Sequence, residues 1–266
     1  MKKRVQVSVF IIIGVIALAA IILVFFYRDK ITSAIRQTPT NPQEYLDQQL
    51  QDIKKEIGRC VSSETDKAAI LLMEKGGNFD KEFGYVHYLN ISYQVLCREI
   101  NATNTCLSEP ILVTDLQTKI NNYLPNKIKS CIDFEAFRNK DYILTTGNLD
   151  TSVNIGEDNI LVNLNIPVEL KKDAYLAKEN RFLYNLKIPL GDFVNLANKL
   201  VQIKASGKEI SPIYEELVSF NKYFIHVYKP YPDEVYDISL TTTDKYHFYF
   251  AIEGIGEFPR PEGQIQ

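Results

Sequence analysis

The sequence predicts an α+β fold: an N-terminal transmembrane helix, a long amphipathic helix, and then an antiparallel sheet with packed helices. Three observations carry this expectation. Val9 to Tyr27 holds no charged residue. From Gln43 to Lys75 apolar residues recur at spacings of three and four, the period of one helical face. Beyond Thr151, strand-like and helix-like segments follow one another without the strict alternation that a parallel βαβ sheet requires.

The segment 9–27 reads as an anchor in the lipid bilayer, because Ile, Val, Leu, Ala and Phe fill nearly every position and a helix needs about 20 apolar residues to cross the hydrocarbon core. A buried core helix would carry a polar stripe, and none is visible between Phe10 and Phe26. A secretory signal has an apolar region of about 7–15 residues ending in a small-x-small site. This run ends in Phe25-Phe26-Tyr27-Arg28, so it reads as uncleaved. Lys2, Lys3 and Arg4 precede it and Arg28, Lys30 and Arg36 follow, a near tie under the positive-inside rule. The α-amino charge on the short tail 1–8 tips the expectation towards a cytoplasmic N-terminus and a domain outside the cytoplasmic membrane.

Residues 28–42, containing Thr38-Pro39-Thr40-Asn41-Pro42, read as a linker. The domain is expected over 43–258, with 259–266 as a flexible tail. Its opening helix, 43–75, carries Leu46, Leu50, Ile53, Ile57, Cys60, Ala68 and Leu71 on one face and stops at Gly76-Gly77. At about 50 Å it is long enough for its first half to stand clear as a stalk or partner-binding helix, the alternative being that all of it packs on the domain. Tyr85 to Leu96 reads as one strand. Thr114 and Gln117 suggest a capping box for a second helix striped by Leu116, Ile120, Leu124, Ile128 and Cys131, with a kink or break at Pro125.

The clearest strand is Ile160 to Leu170, where every second residue is apolar. Thr151 to Ile155 is expected to pair with it across Gly156-Glu157-Asp158-Asn159, and Leu183 to Ile188 to follow as a strand. Phe193, Leu196, Ala197, Leu200 and Val201 mark a helix, and Ser211-Pro212 starts another. Tyr223–Tyr228, Val235–Leu240 and Tyr246–Ile252 read as three strands, the last two a hairpin over Thr242-Thr243-Asp244-Lys245.

The four cysteines, Cys60, Cys97, Cys106 and Cys131, form no Cys-x-x-Cys or Cys/His cluster, which argues against zinc. Disulfides suit a domain in an oxidising compartment. Cys97 and Cys106 enclose a short polar loop, while Cys60 and Cys131 lie on the apolar faces of predicted helices. The expected pairing is therefore Cys60 with Cys131 and Cys97 with Cys106, one of three connectivities, with four buried free thiols as the alternative. Sequons at Asn90 and Asn101 fit an external domain.

The net charge of −3 offers no basic patch, so nucleic acid is not an expected partner. No nucleophile elbow, zinc-protease pair or dinucleotide turn is present, and Gly207-Lys208-Glu209 lacks the first glycine and the hydroxyl residue of a phosphate loop. No cofactor is expected. His87, His226 and His247 lie in predicted strands, where solvent-facing histidines are commoner than sites unless they meet carboxylates. The aromatic stretch Tyr223 to Phe250 is expected either to pack on the core or to present a binding surface. The sequence thus reads as a membrane-anchored, non-enzymatic binding or cell-envelope structural protein with a protein or envelope partner. An extracytoplasmic enzyme whose site assembles from distant residues is a further alternative.

The opening Lys2-Lys3-Arg4-Val5-Gln6-Val7-Ser8-Val9-Phe10, followed by the apolar run, resembles the class III signal of archaeal type IV pilin-like proteins. Gln6 and Ser8 match that pattern, while Val5 precedes the implied cut and Phe10 stands at the family's glutamate. The resemblance implies cleavage before Gln6 and a filament subunit. The layout of anchor, helix with Arg59-Cys60-Val61 and Lys75-Gly76-Gly77, and second helix ending Lys129-Ser130-Cys131-Ile132 also resembles uncharacterised single-pass membrane proteins of small-genome archaea, a likeness that implies no activity.

Overall fold

A computed structural model describes residues 41–79, 84–99, 106–138, 141–207 and 222–254. The expected anchor 9–27, Asn101, the helix at Ser211-Pro212 and the tail 259–266 lie outside the described residues, as does the implied cut before Gln6. Among the described residues no helix is long and apolar enough to cross a membrane.

Helix α1 spans Pro42–Glu74. The Asn41 side chain accepts from the Gln43 N–H at 3.0 Å, and Pro42 fills the first turn, where its missing N–H costs nothing. At the other end Gly76 and Gly77 take positive φ of 65° and 94°. The Gly77 N–H donates to the Leu72 carbonyl at 2.7 Å and that of Gly76 to Met73, a Schellman closure that the Gly-Gly pair makes accessible. The stalk considered for its first half is absent. Leu46, Ile53 and Ile57 are fully buried, because strand β7 (Tyr175–Leu186) runs beside them. Gln43 Nε2 donates to the Leu176 carbonyl at 3.1 Å and the Tyr184 hydroxyl to the Lys54 carbonyl at 3.2 Å.

The first part of α1 covers a four-stranded antiparallel sheet and its second part meets a six-stranded one. The four-stranded sheet is built on β6 (Ile160–Lys172), with β7 along one edge and β5 (Asp150–Ile155) and β4 (Ile143–Thr146) along the other. The expected β5–β6 hairpin forms with Ile155 opposite Ile160. β7 begins well before the expected Leu183, because only Ala177 and Phe182 along it are fully inward and its charged residues hide the alternation. Pro167 sits where the β6–β7 register slips between Asn165 and Val168, the position in a central strand that tolerates a missing donor.

Helix α2 (Val113–Cys131) lies on β5 and against α1. It starts without a side-chain cap, so the capping box expected at Thr114 is not made: Thr114 falls inside the first turn, where its carbonyl accepts from Thr118 Oγ1. It also runs unbroken through Pro125. Proline removes the donor to the carbonyl four residues back, that of Asn121. The buried Thr151 hydroxyl on β5 lies 3.2 Å from that carbonyl and 3.1 Å from Asn121 Oδ1, so a neighbouring strand supplies what the helix lost.

The six-stranded sheet has the order β1-β2-β10-β9-β8, with β3 also paired to β2. The expected single strand Tyr85 to Leu96 is in fact a hairpin, β1 (Tyr85–Tyr88) and β2 (Ile91–Glu99), turned by Leu89 and Asn90 at positive φ. Short β3 (Cys106–Ser108) follows. β8 (Tyr223–Tyr228), β9 (Glu234–Leu240) and β10 (Thr243–Ile252) form the expected meander, with the turn tightened to Thr241-Thr242 and the register slipping before His247. β10 then pairs with β2 in parallel. Helix α3 (Leu190–Ala205) backs this sheet. Its Gly191 lies so close to the Gly156 carbonyl that a methyl group there would collide with backbone.

One continuous core joins the three described α-helices to the inner faces of both sheets. Cys60 and Cys131 are bonded, tying α1 to the end of α2 with Cα atoms 5.8 Å apart, and Cys97 is bonded to Cys106 across β2 and β3 at 5.4 Å. Two disulfides fit an oxidising, extracytoplasmic compartment.

Candidate functional site: the outer face of the six-stranded sheet

The alternation in β8, β9 and β10 sends Ile225, Tyr236, Ile238, Tyr246, Phe248 and Phe250 into the core. The residues between them face outward. His226 and Tyr249 stand on either side of Asp237 in the ladder, Phe224 and His247 on either side of Ser239, and Tyr228 and Ala251 on either side of Val235. β2 adds Tyr93 and Val95, and β1 adds Val86 and Tyr88. The aromatic stretch thus packs alternate residues in the core, as expected, and sets the others on a second face.

This surface is curved. Strands β1 and β8 are four places apart in the sheet order, which in a flat sheet would separate them by about 19 Å. Yet the Tyr88 and Tyr228 rings lie 5.6 Å apart, so the sheet curls until its two edges meet over the face. A small apolar floor of Val86, Tyr93, Val95, Val235 and Ala251 is enclosed, separate from the main core.

Aromatic contacts line the trough. His226 meets Tyr228 edge-on at 4.4 Å, His247 stacks on Tyr249 at 5.8 Å, and Tyr249 meets Tyr93 at 5.7 Å. His247 Nδ1 lies 2.9 Å from Asp237 Oδ1, whose carboxylate is largely buried. Burial, and then the negative charge of Asp237, push the Tyr249 hydroxyl up to about 12. Burial raises Tyr93 as well, followed by Tyr228 and Asp237. Both phenols therefore stay protonated at neutral pH and can donate.

The inward tyrosines use their hydroxyls internally: Tyr236 donates to Glu234 at 2.6 Å, Tyr246 to Asp66 at 2.8 Å and Tyr184 to Lys54. Those of Tyr88, Tyr93, Tyr228 and Tyr249 make no hydrogen bond among the described residues. None is a sealed, unsatisfied atom either, so water reaches them. Four phenols thus converge on one concave face with no hydrogen-bond partner among the described residues.

Ser239 stands opposite His247, but no hydrogen bond joins them, so the order Ser-His-Asp is not closed into a relay that would activate a nucleophile. Among the described residues no group of three or more His, Cys, Asp or Glu could hold a metal ion. His87 lies apart from the other two histidines, bonded to Ser92 on the β1–β2 hairpin. Asn90 is exposed at that hairpin's turn, outside the strand in which the sequence had placed it. The sequence held one overlooked signal for the site. His-x-Tyr occurs in both His226-Val227-Tyr228 and His247-Phe248-Tyr249, and residues two apart in a strand share a face.

Fold and site together define a disulfide-linked α+β domain with a concave, tyrosine-lined sheet. The chain matches no protein-family model, and no curated protein or solved structure is similar to it.

Proposed function

We propose that this protein is a membrane-anchored, extracytoplasmic, non-enzymatic binding domain that holds a protein or envelope partner in the trough of its six-stranded sheet. The observation that carries the reading is the set of tyrosine hydroxyls, Tyr88, Tyr93, Tyr228 and Tyr249, on a curved aromatic face without internal partners. Tyrosine offers a large apolar ring and a polar tip at low conformational cost, which is why it is enriched in recognition surfaces. Two disulfides support an external location, and the apolar run 9–27 supports the tether. The N-terminal likeness to pilin signals suggests a filament subunit as the alternative, which a mature chain beginning at Gln6 would favour.

The reading is tested by placing a photo-crosslinking amino acid at Tyr228 in the intact membrane and comparing it with the same probe at Leu183 on the other sheet. The expected result is one discrete adduct from position 228 that Tyr93→Phe and Tyr249→Phe together reduce. Equal yields from both positions, or adducts untouched by the phenylalanine changes, would overturn it.

A further inference from the structure

The end of the domain opposite the trough has a surface of its own. α1 is 33 residues long, about 50 Å from end to end. Its last turn meets the trough sheet, where Gly76 packs against Gln94 and β10. Its first turn meets the tip of the β6–β7 hairpin, where Gln43 bonds Leu176 and the Lys172 ammonium lies over the Tyr45 ring at 5.4 Å. At that tip Ile143 and Leu176 both stand opposite Lys171 and so flank it on one face. Ile143 is 67% exposed and Leu176 43%, and Tyr175 at the start of β7 is 41% exposed. Exposed β-branched, leucine and tyrosine side chains around lysines are the composition of a membrane–water interface, where aromatic rings sit at headgroup level and lysines extend towards water.

We propose that the β6–β7 hairpin tip, with Ile143 beside it, rests in the lipid headgroup layer of the membrane that carries the anchor, and so holds α1 away from the surface with the trough at its far end. The proposal rests on the reading of 9–27 as an anchor. The chain beyond the described domain supplies the occupant: residues 28–40 join α1 to the apolar run and, fully extended, reach about 45 Å at most. The first turn of α1, and the β6–β7 tip beside it, therefore stay within about 45 Å of the bilayer, and with the tip seated there the trough would stand about a helix length further out. Asp173 follows Lys171 and Lys172 in the chain, and the Asp141 charge acts on Tyr45, over whose ring the Lys172 ammonium lies. Apolar side chains and Tyr175, rather than net charge, make the contact, which sets it apart from adsorption to anionic lipid.

The chain contains no tryptophan, so Tyr175→Trp gives the full-length protein a single reporter. The variant is reconstituted into phosphatidylcholine vesicles with acyl chains brominated near the headgroup. Its fluorescence should fall by roughly half relative to unbrominated vesicles, since interfacial groups sit about 5–10 Å deep, and added salt should leave this unchanged. Leu89→Trp, at the β1–β2 turn, should be unquenched, and Ile143→Trp provides a second reporter at the tip. Protein that floats with the vesicles while both tip reporters remain unquenched would overturn the proposal and leave the anchor standing. Equal quenching at 89 and 175 would overturn it also, because the domain would lie flat. Protein that fails to float would overturn the anchor reading and the proposal with it.

Discussion

The Cys60–Cys131 bond should be the larger of the two covalent contributions to stability, by an amount that follows from chain length. It joins residues 71 apart, whereas Cys97–Cys106 joins residues 9 apart. Closing a longer loop removes more conformational entropy from the unfolded chain, and the loop-entropy relation gives about 4.4 kcal/mol for the first bond and about 2.6 kcal/mol for the second. For a domain of roughly 200 residues each kcal/mol moves the melting temperature by about 2–4 °C. Replacing Cys60 and Cys131 together by alanine should therefore lower it by about 9–18 °C. Replacing Cys97 and Cys106 should lower it by only about 5–10 °C. Thermal unfolding followed by circular dichroism or calorimetry measures both, and the wild type in reductant should fall at least as far as the more damaged variant. An equal loss from the two pairs, or a larger one from Cys97–Cys106, would refute the reasoning and mean that local packing around β2 and β3 outweighs loop closure.

Thr151→Val should cost about 1–3 kcal/mol, because it leaves the Asn121 carbonyl without a donor. In a Pro125→Ala background the helix regains its own N–H, so the cost should shrink, and a double-mutant cycle in urea that finds the two changes additive would contradict this. Gly191→Ala should destabilise by more than 1 kcal/mol, since its methyl meets the Gly156 carbonyl at a backbone-to-backbone contact. Chemical unfolding that finds the variant as stable as wild type would exclude that contact. Burial would raise the Glu234 carboxyl, but hydrogen bonds from Lys204, at 2.7 Å, and from Tyr236 outweigh it and hold the group below its ordinary value of 4.5. Its folded pKa is depressed, so its contribution is present above about pH 4.5 and is lost as pH falls through the lower folded value. Melting temperatures of wild type and Glu234→Gln should converge in acid and separate towards neutrality, and a constant difference would contradict the assignment.

The elements most legible in the sequence were those with one wet and one dry face. In β6 the residues Ile160, Val162, Leu164, Ile166, Val168 and Leu170 are all buried, so period-two alternation described it directly. α1 was legible for the same reason at a helical period, and its end because Gly76-Gly77 permits a positive-φ closure. β1 and β2 merged because their turn is Leu89-Asn90 and carries no glycine to announce it. The kink assigned to Pro125 was a correct local rule overridden from outside the helix by Thr151, a partner 30 residues from the Asn121 carbonyl that no local pattern contains. The trough was hidden in a similar way. His226, Asp237 and Tyr249 become neighbours through strand register, and the meeting of Tyr88 with Tyr228 depends on the curl of the whole sheet.

Thiol labelling of intact cells tests sidedness and disulfide bonding in one measurement. Cys106 and Cys131 are only partly buried, so once reduced they should be the first to react. A membrane-impermeant maleimide should add no tag to untreated cells, and should add tags at Cys106 and Cys131 once an impermeant reductant has been applied from outside. Labelling without reductant, or labelling only after the cells are permeabilised, would contradict an oxidised domain on the outer side of the membrane.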